Sequence, residues 1–347
     1  MRCGDFRQTY AEDMAIFESP LPRWLLGLLV AALATMPFVS TSYWMDVLNR
    51  ILIAVIAAMG LNILTGFTGQ ISLGNAAFLS VGAYTTAYLA GKLGLPFPVV
   101  IPAAGVLTAL VGMVFGVPSL RLKGLYLAVA TLAAHFVIEF VITHWEAVTG
   151  GVNGTSVPAA KLGPLELAGD KKLFWLVLAL TALLLYFAKN LFRTKVGKAF
   201  VAIRDQDISA EVMGVSVFKH KLLSFGVSSF YVGVAGSLLA YQARIISPEN
   251  FPITVAIDQL GMIIIGGLGS VLGSIFGAIF VTLLPELLRL LTGALSDTFP
   301  QLYGLFAPLK TGLFGLAIVL FLLFEPDGMA ARWHKVKNYW KLYPFSY

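Results

Sequence analysis

Long stretches of the chain contain no Asp, Glu, Lys or Arg, and this feature restricts the fold more than any other. Residues 51–91, 124–138 and 259–285 are three of them. A charged side chain at the centre of a bilayer costs about 2.5–3.5 kcal/mol on insertion scales, so charge-free stretches are typical of membrane-spanning helices. We therefore expect a polytopic, all-α integral membrane protein.

The composition excludes several classes of protein. Of the 347 residues, 58% are hydrophobic and only 12% are charged, whereas a soluble domain carries about 25% charged residues. A soluble enzyme, a nucleic-acid-binding protein and a disordered tail are therefore excluded, and we expect a lipid bilayer but no nucleic acid as partner. With one Cys and four His, the chain has little scope for a metal site, so we expect no metal and no cofactor bound by this chain.

Apolar runs between Pro, Gly and charged residues predict about ten transmembrane helices within one permease-like domain, residues 1–347. The eighth run is short for a span of about 20 residues, so a broken or re-entrant helix stays open there. The predicted spans are 24–39, 49–65, 71–91, 98–117, 124–144, 172–188, 222–241, 254–268, 270–291 and 308–325.

The distribution of Lys and Arg predicts the orientation. Basic residues favour one side by roughly two to one if the N-terminus is cytoplasmic and the number of spans is even. We therefore expect both termini in the cytoplasm, a cytoplasmic loop at residues 189–221 and an external loop at residues 145–171.

Two glycine-rich segments join predicted spans on the cytoplasmic side, from Asn62 to Asn75 and from Gly266 to Gly273. Irregular backbone at membrane depth is tolerated where protein or a water-lined cavity satisfies its amides, so broken helices along a translocation path are one interpretation. Close helix packing through small residues is the other, and the residues alone favour it. Thr65–Gly69 and Ile265–Gly269 match at an offset of 200 residues, which suggests an internal repeat. No G-x-x-x-x-G-K-[ST] motif occurs, so we expect ATP hydrolysis to lie elsewhere.

The loop 189–221 mixes apolar and charged side chains in a way that suits a short cytoplasmic helix pair. Asp207 is a plausible N-cap and Gly214 a plausible helix stop. A stretch lying on the lipid surface is the alternative, but its acidic residues would be repelled by anionic lipid, which favours docking to another protein. The apolar side chains offered for docking are Phe200, Ile203, Ile208, Val212 and Met213.

His135 and Glu139 lie four residues apart on one face of the fifth predicted span. Ionisable residues inside a membrane are candidates for function, here a proton relay. This pair supports the alternative hypothesis of a proton-coupled secondary transporter or channel for a small neutral solute.

Several motifs occur in order along the chain: Thr65-Gly66 to Gly74, Trp145 with Thr149-Gly150-Gly151, Ala199 to Gly214, Ser247-Pro248-Glu249, Gly266 to Ser270, and Glu325-Pro326-Asp327-Gly328. In these motifs, from about residue 50 to residue 328, the chain resembles the LivM-type permease subunit of bacterial branched-chain amino acid ABC importers. At Asn75 the chain departs from the pattern, because many members carry His there and Asn cannot take a charge.

The resemblance implies a transport subunit in the bacterial inner membrane, not an enzyme, that imports Leu, Ile or Val. It implies a second, LivH-type permease, two ATP-binding subunits that hold ATP and Mg²⁺, and a periplasmic amino-acid-binding protein that delivers the substrate. It also implies that the loop 145–171 is periplasmic. The residues expected along the path are Asn62, Thr65, Gly66, Gly69, Gln70, Ser72, Gly74, Asn75, Gly266, Gly267 and Gly269. The residues expected to couple the chain to the ATPase are Phe200, Ile203, Arg204, Asp205, Glu211 and Gly214.

Overall fold

The computed structural model describes residues 20–119, 122, 124–162, 165–295, 302–325 and 327–342. Nearly all of this part of the chain is helical, as expected. The helices are α1 (Pro20–Val39), α2 (Ser42–Asn62), α3 (Asn75–Thr86), α4 (Phe97–Ser119), α5 (Leu125–His144), α6 (Glu146–Thr149), α7 (Asp170–Leu191), α8 (Lys195–Asp205), α9 (Asp207–Val212), α10 (Val217–Ala243), α11 (Ile253–Gly266), α12 (Val271–Leu295), α13 (Leu302–Phe324) and α14 (Gly328–Leu342). Two π-helical turns, Ile63–Phe67 and Ala87–Lys92, extend α2 and α3.

Within the described residues, six helices are long and apolar enough to cross a membrane: α2 with its π-turn, α4, α5, α7, α10 and α12. The apolar parts of α13 and α14 are bent by 46° at a break and add a seventh span if the pair counts as one. The helical membrane fold is therefore confirmed, with fewer full-length spans than the ten expected.

The difference in span number has a local cause in each case. The predicted span 71–91 is interrupted, because its helix begins only at Asn75. The predicted span 254–268 is α11, which has 14 residues and is shorter than a bilayer is thick. The predicted span 24–39 is α1, whose described apolar part is the short helix Val30–Val39.

Helices α2 and α10 form the centre of the bundle. Their spans are 78% and 72% buried, whereas those of α4, α5, α7 and α12 are 33–39% buried. Helix α10 packs against α2, α3 and α4, and small residues permit the close approach. A Cβ at Gly82 would clash with the backbone of Gly233 on α10.

The expected external loop 145–171 is a folded structure. It contains α6, a 3₁₀ turn at Gly151–Asn153 and two short β-ladders. Strand β1 (Thr155–Ser156) pairs antiparallel with β4 (Ile245–Ile246), and β2 (Ala160–Leu162) pairs with β3 (Leu165–Leu167). We call this end of the bundle the ladder end. Residues 1–19 and 343–347 lie outside the described residues. The two termini, which we expected in the cytoplasm, are among them.

Candidate functional site

The first glycine-rich segment is a broken helix. After the π-turn that follows α2, residues 68–74 leave the helical conformation, and α3 starts at Asn75. Side chains satisfy the backbone there, since the Thr65 hydroxyl donates to the Gln70 carbonyl at 3.1 Å and the Thr131 hydroxyl on α5 accepts from the Leu73 amide at 2.9 Å. The irregular backbone thus lies beside a membrane-spanning helix. Non-helical backbone is tolerated at membrane depth when neighbouring protein groups form its hydrogen bonds in this way.

Asn62 joins the two glycine-rich segments. Its side-chain nitrogen donates to the Ser270 carbonyl and to the Ser274 hydroxyl, both at 2.8 Å. Its side-chain oxygen accepts from the Gly269 amide at 2.9 Å. The side chain is completely buried, so one carboxamide fixes the end of α2 against the turn between α11 and α12.

The two segments approach each other so closely that side chains would not fit. A Cβ at Gly66 would clash with Asn62 Oδ1 and with the Gly269 amide. Gly267 and Gly269 have φ angles of +117° and +72°, which favour glycine. Close packing through small residues therefore occurs at these positions, and their lining of a path stays a prediction. We call this end of the bundle the glycine end.

The other polar residues of the first segment pair with polar partners on neighbouring helices. Gln70 donates to the Ser224 hydroxyl on α10 at 2.8 Å, and Asn75 donates to the side-chain oxygen of Gln259 on α11. Ser72 is buried, and its hydroxyl accepts from the Gly74 amide at 3.4 Å. Sequence reasoning missed Gln259, although an uncharged polar residue inside the short eighth segment was a signal. The amide of Asn75 thus has a matched amide partner where many family members carry His.

In the coupling segment, residues 199–214, some apolar side chains are buried in the core and others are exposed at the surface. Phe200 and Ile203 on α8 are buried in the core, which contradicts their expected availability for docking. Ile208, Val212 and Met213 are 66%, 81% and 84% exposed, respectively. The reason is that α8 packs against α10 and the π-turn, whereas α9 projects beyond them.

The ends of α9 differ slightly from the expectation. Gln206 is the N-cap, and the expected cap Asp207 is the first helical residue, where it forms a salt bridge of 3.5 Å with Lys221. The stop at Gly214 is confirmed, because its amide donates to the Glu211 carbonyl at 2.9 Å and its φ is +87°. The exposed apolar side chains of α9 are therefore accompanied by two exposed acidic residues, Asp205 and Glu211.

Arg204 connects this segment to both glycine-rich segments. Its Nη1 donates to the Gly66 carbonyl at 3.1 Å, and its Nε and Nη2 donate to Asp205 Oδ1 at 3.0 Å. A Cβ at Gly69 would lie 3.0 Å from Arg204 Cγ, and a Cβ at Gly269 would lie 2.9 Å from Nη1. Residues predicted for two separate roles, path and coupling, therefore meet at one guanidinium.

The motif at residues 325–328 also packs at the glycine end, although Pro326 lies outside the described residues. A Cβ at Gly328 would lie 2.5 Å from the Gly267 amide nitrogen. Arg332 donates to the Glu325 carboxylate, and this hydrogen bond lowers the pKa of Glu325 below its usual value.

His135 and Glu139 are brought together on α5. His135 Nε2 lies 3.7 Å from Glu139 Oε2, with the imidazole buried and the carboxylate half-exposed. In the part of the chain that the structure describes, no three His, Cys, Asp or Glu residues are grouped so that they could hold a metal ion.

Comparison with known proteins decides the family. A family model described as the branched-chain amino acid transport system / permease component matches residues 43–322. The chain belongs to this family. The resemblance given by the ordered motifs is therefore confirmed, and the chain is a multi-pass membrane permease.

Two curated relatives are the high-affinity branched-chain amino acid transport system permease proteins LivM of Salmonella typhimurium and Escherichia coli. Each is 32% identical over 271 residues, which cover 71% of this chain and 64% of the relative. The matched part thus spans less than two thirds of their length. A ribose import permease protein, RbsC of Haemophilus influenzae, is 24% identical over 66% of this chain and 70% of its own. No solved structure matches the chain.

Proposed function

We propose that the chain is the permease subunit of an ABC importer that carries Leu, Ile or Val across the bacterial inner membrane. The names of the LivM relatives, which are branched-chain amino acid permeases, support this substrate class. ATP and Mg²⁺ bind in separate subunits that drive transport, and this chain supplies the path and no catalytic residue.

The exposed apolar face of α9 carries the proposal. Ile208, Val212 and Met213 stand at the glycine end beyond the core. Apolar side chains exposed together mark a docking surface, and the neighbouring carboxylates of Asp205 and Glu211 disfavour an anionic lipid surface. An ATP-binding subunit is the partner that an importer requires at this position.

The orientation follows from this assignment. The glycine end and both termini face the cytoplasm, and the ladder end faces the periplasm, where an amino-acid-binding protein docks. A second, LivH-type permease packs on the outer helices of the bundle, and the two permeases with two ATP-binding subunits form the importer. ATP binding moves α8 and α9, and Arg204 transmits the movement to the glycine-rich segments.

The alternative, a proton-coupled carrier, has the His135–Glu139 pair in its favour. Membership of the permease family and the names of the relatives favour the importer. A carrier that works alone has no partner subunit that would bind the exposed apolar face of α9.

Val212→Asp tests the docking surface. We expect about tenfold or more weaker co-purification of the ATP-binding subunit, because a carboxylate would be buried at an apolar contact. ATP-driven leucine uptake by cells should fall in parallel. The measurement is quantitative mass spectrometry of complexes purified in mild detergent, together with uptake of labelled leucine.

Val152→Asp is the matched control, since Val152 is 67% exposed at the ladder end. It should co-purify the ATP-binding subunit like the wild type. Full co-purification by Val212→Asp would contradict the assignment of α9.

A further inference from the structure

A small pocket near the ladder end contains polar groups that the packing of the bundle does not use. It lies between α3, α5 and the turn that precedes α11. Its space is close to that of one water molecule or one ammonium group, which restricts any ligand group to that size. Its lining residues are Ala77, Ser80, His135, Glu139, Ile142, Pro248 and Phe251.

The polar side chains of the pocket are hydrogen-bond acceptors. The Ser80 hydroxyl donates its proton to the Ala77 carbonyl at 2.7 Å, which leaves its oxygen lone pairs to accept. A neutral His135 whose Nε2 carries the proton towards Glu139 has an acceptor at Nδ1. This Nδ1 atom is buried and has no hydrogen-bond partner among the described residues. A buried acceptor without a partner costs about 1–3 kcal/mol, so it marks a place where a donor is expected.

The charge and the remaining walls favour a cation. Glu139 contributes a carboxylate, and its side chain is 45% exposed, so the pocket is accessible from the outer side of α5. The aromatic ring of Phe251 also favours a cation over an anion. The Ser80 oxygen and the His135 Nδ1 atom can accept hydrogen bonds from a primary ammonium group. The Glu139 carboxylate lies on the Nε2 side of the imidazole and adds a negative charge nearby.

We propose that this pocket receives the α-ammonium group of the amino acid during its passage, which rests on the proposed function. Glu139 lies about 7 Å from the ladder-end terminus of α5, where a substrate released on the periplasmic side would arrive. The aliphatic side chain and the carboxylate of the substrate stay outside the pocket, against the second permease. Ser80, His135 and Glu139 are then the groups that recognise an amino acid as opposed to a sugar.

Glu139→Gln tests the proposal, because it keeps the shape of the side chain and removes its charge. Proteoliposomes that contain the whole importer and a leucine-loaded binding protein allow leucine uptake and ATP hydrolysis to be measured together. We expect uptake to fall about tenfold or more, through loss of the negative charge that attracts the ammonium group. ATP hydrolysis should stay within about twofold of the wild type, because the coupling segment is intact. Lys337→Gln, which removes a charge from the exposed surface of α14 away from the ladder end, is the control and should transport normally.

Ser80→Ala provides a second test without a change of charge. We expect about threefold lower uptake with unchanged ATP hydrolysis. Wild-type uptake by Glu139→Gln, or a parallel fall of uptake and ATP hydrolysis in both variants, overturns the proposal. A wild-type complex without ATP-driven uptake rejects the proposed function itself. Uptake that ignores ATP and collapses with an uncoupler contradicts both and favours proton transfer between His135 and Glu139.

Discussion

A single buried carboxamide, that of Asn62, holds together two segments that are far apart in the sequence. It satisfies one backbone amide, one carbonyl and one hydroxyl of the turn between α11 and α12. In surroundings without water, each of these groups would otherwise be left without a partner at considerable cost. Asn62 therefore contributes both to the stability of the bundle and to the register of the two segments.

Asn62→Ala leaves the Gly269 amide without its acceptor. We expect the free energy of unfolding to fall by about 1–3 kcal/mol, the cost of an unsatisfied buried group. Thermal unfolding in detergent measures the change, with Asn250→Ala as control, because Asn250 is exposed at the ladder end and the effect should be below about 0.5 kcal/mol. Equal unfolding temperatures for Asn62→Ala and the wild type would contradict the role.

For buried polar residues such as Asn62, the sequence indicates the residue itself but not the partner that it contacts. Asn62 is conspicuous there because it is polar and borders a glycine-rich run. Ser274, its partner, carries no such signal. Gln259, the partner of Asn75, is visible as a polar residue in an apolar segment, but no spacing in the sequence indicates which residue it contacts. Burial of Phe200 and Ile203 was equally hidden, because their helix packs against segments that the local pattern does not identify.

At the scale of elements, α11 and α12 form a tight antiparallel pair whose backbones touch. A Cβ at Gly277 would clash with the Met262 carbonyl, and a Cβ at Gly266 would clash with the Gly273 carbonyl. Glycine permits this approach because nothing projects from its Cα. The short helix α11 is thereby held within the bundle although it is too short to cross a bilayer.

Gly277→Ala tests this contact between helices. We expect it to lower the free energy of unfolding by about 1–3 kcal/mol, as overpacking does, and to reduce the monodisperse fraction in gel filtration. Gly312→Ala on α13 is the control, because a Cβ there meets nothing within 4 Å. Identical elution and unfolding of the two variants would argue against close α11–α12 packing.

The number of spans was the part of the fold that the sequence overestimated. Hydropathy counts runs that are mostly apolar, and the run 71–91 contains no charged residue. Whether such a run is one helix depends on where its backbone finds partners, and here Thr131 on another helix supplies one. The short run 254–268 was correctly suspected, because its length alone conflicts with the thickness of a bilayer.

At the scale of the whole molecule, Arg204 joins the surface of α9 to the interior of the bundle. Its guanidinium contacts the Gly66 carbonyl and the carboxylate of Asp205. The family was predictable from motifs that occur in order, but this contact was not. A single sequence contains no signal that residues 66, 204 and 269 are in contact in the folded protein.

Arg204→Ala should separate docking from transport. We expect the ATP-binding subunit to co-purify as with the wild type, while leucine uptake falls about tenfold for lack of the contact that transmits movement. The measurement pairs mass spectrometry of the complex with uptake in cells. Lys198→Ala, exposed on the same helix, should leave both unchanged. Loss of the ATP-binding subunit from Arg204→Ala would place the guanidinium in the docking surface instead.

The contact between Asn62 and Gly269 also has a consequence for biosynthesis. Its partners are 207 residues apart, so at about 5–20 residues per second the ribosome needs roughly 10–40 s to supply the second after the first. During that interval the carboxamide is already in the membrane without its final partner. The nascent chain must therefore be shielded, by the insertion machinery or by a chaperone, until more than three quarters of the protein has been made.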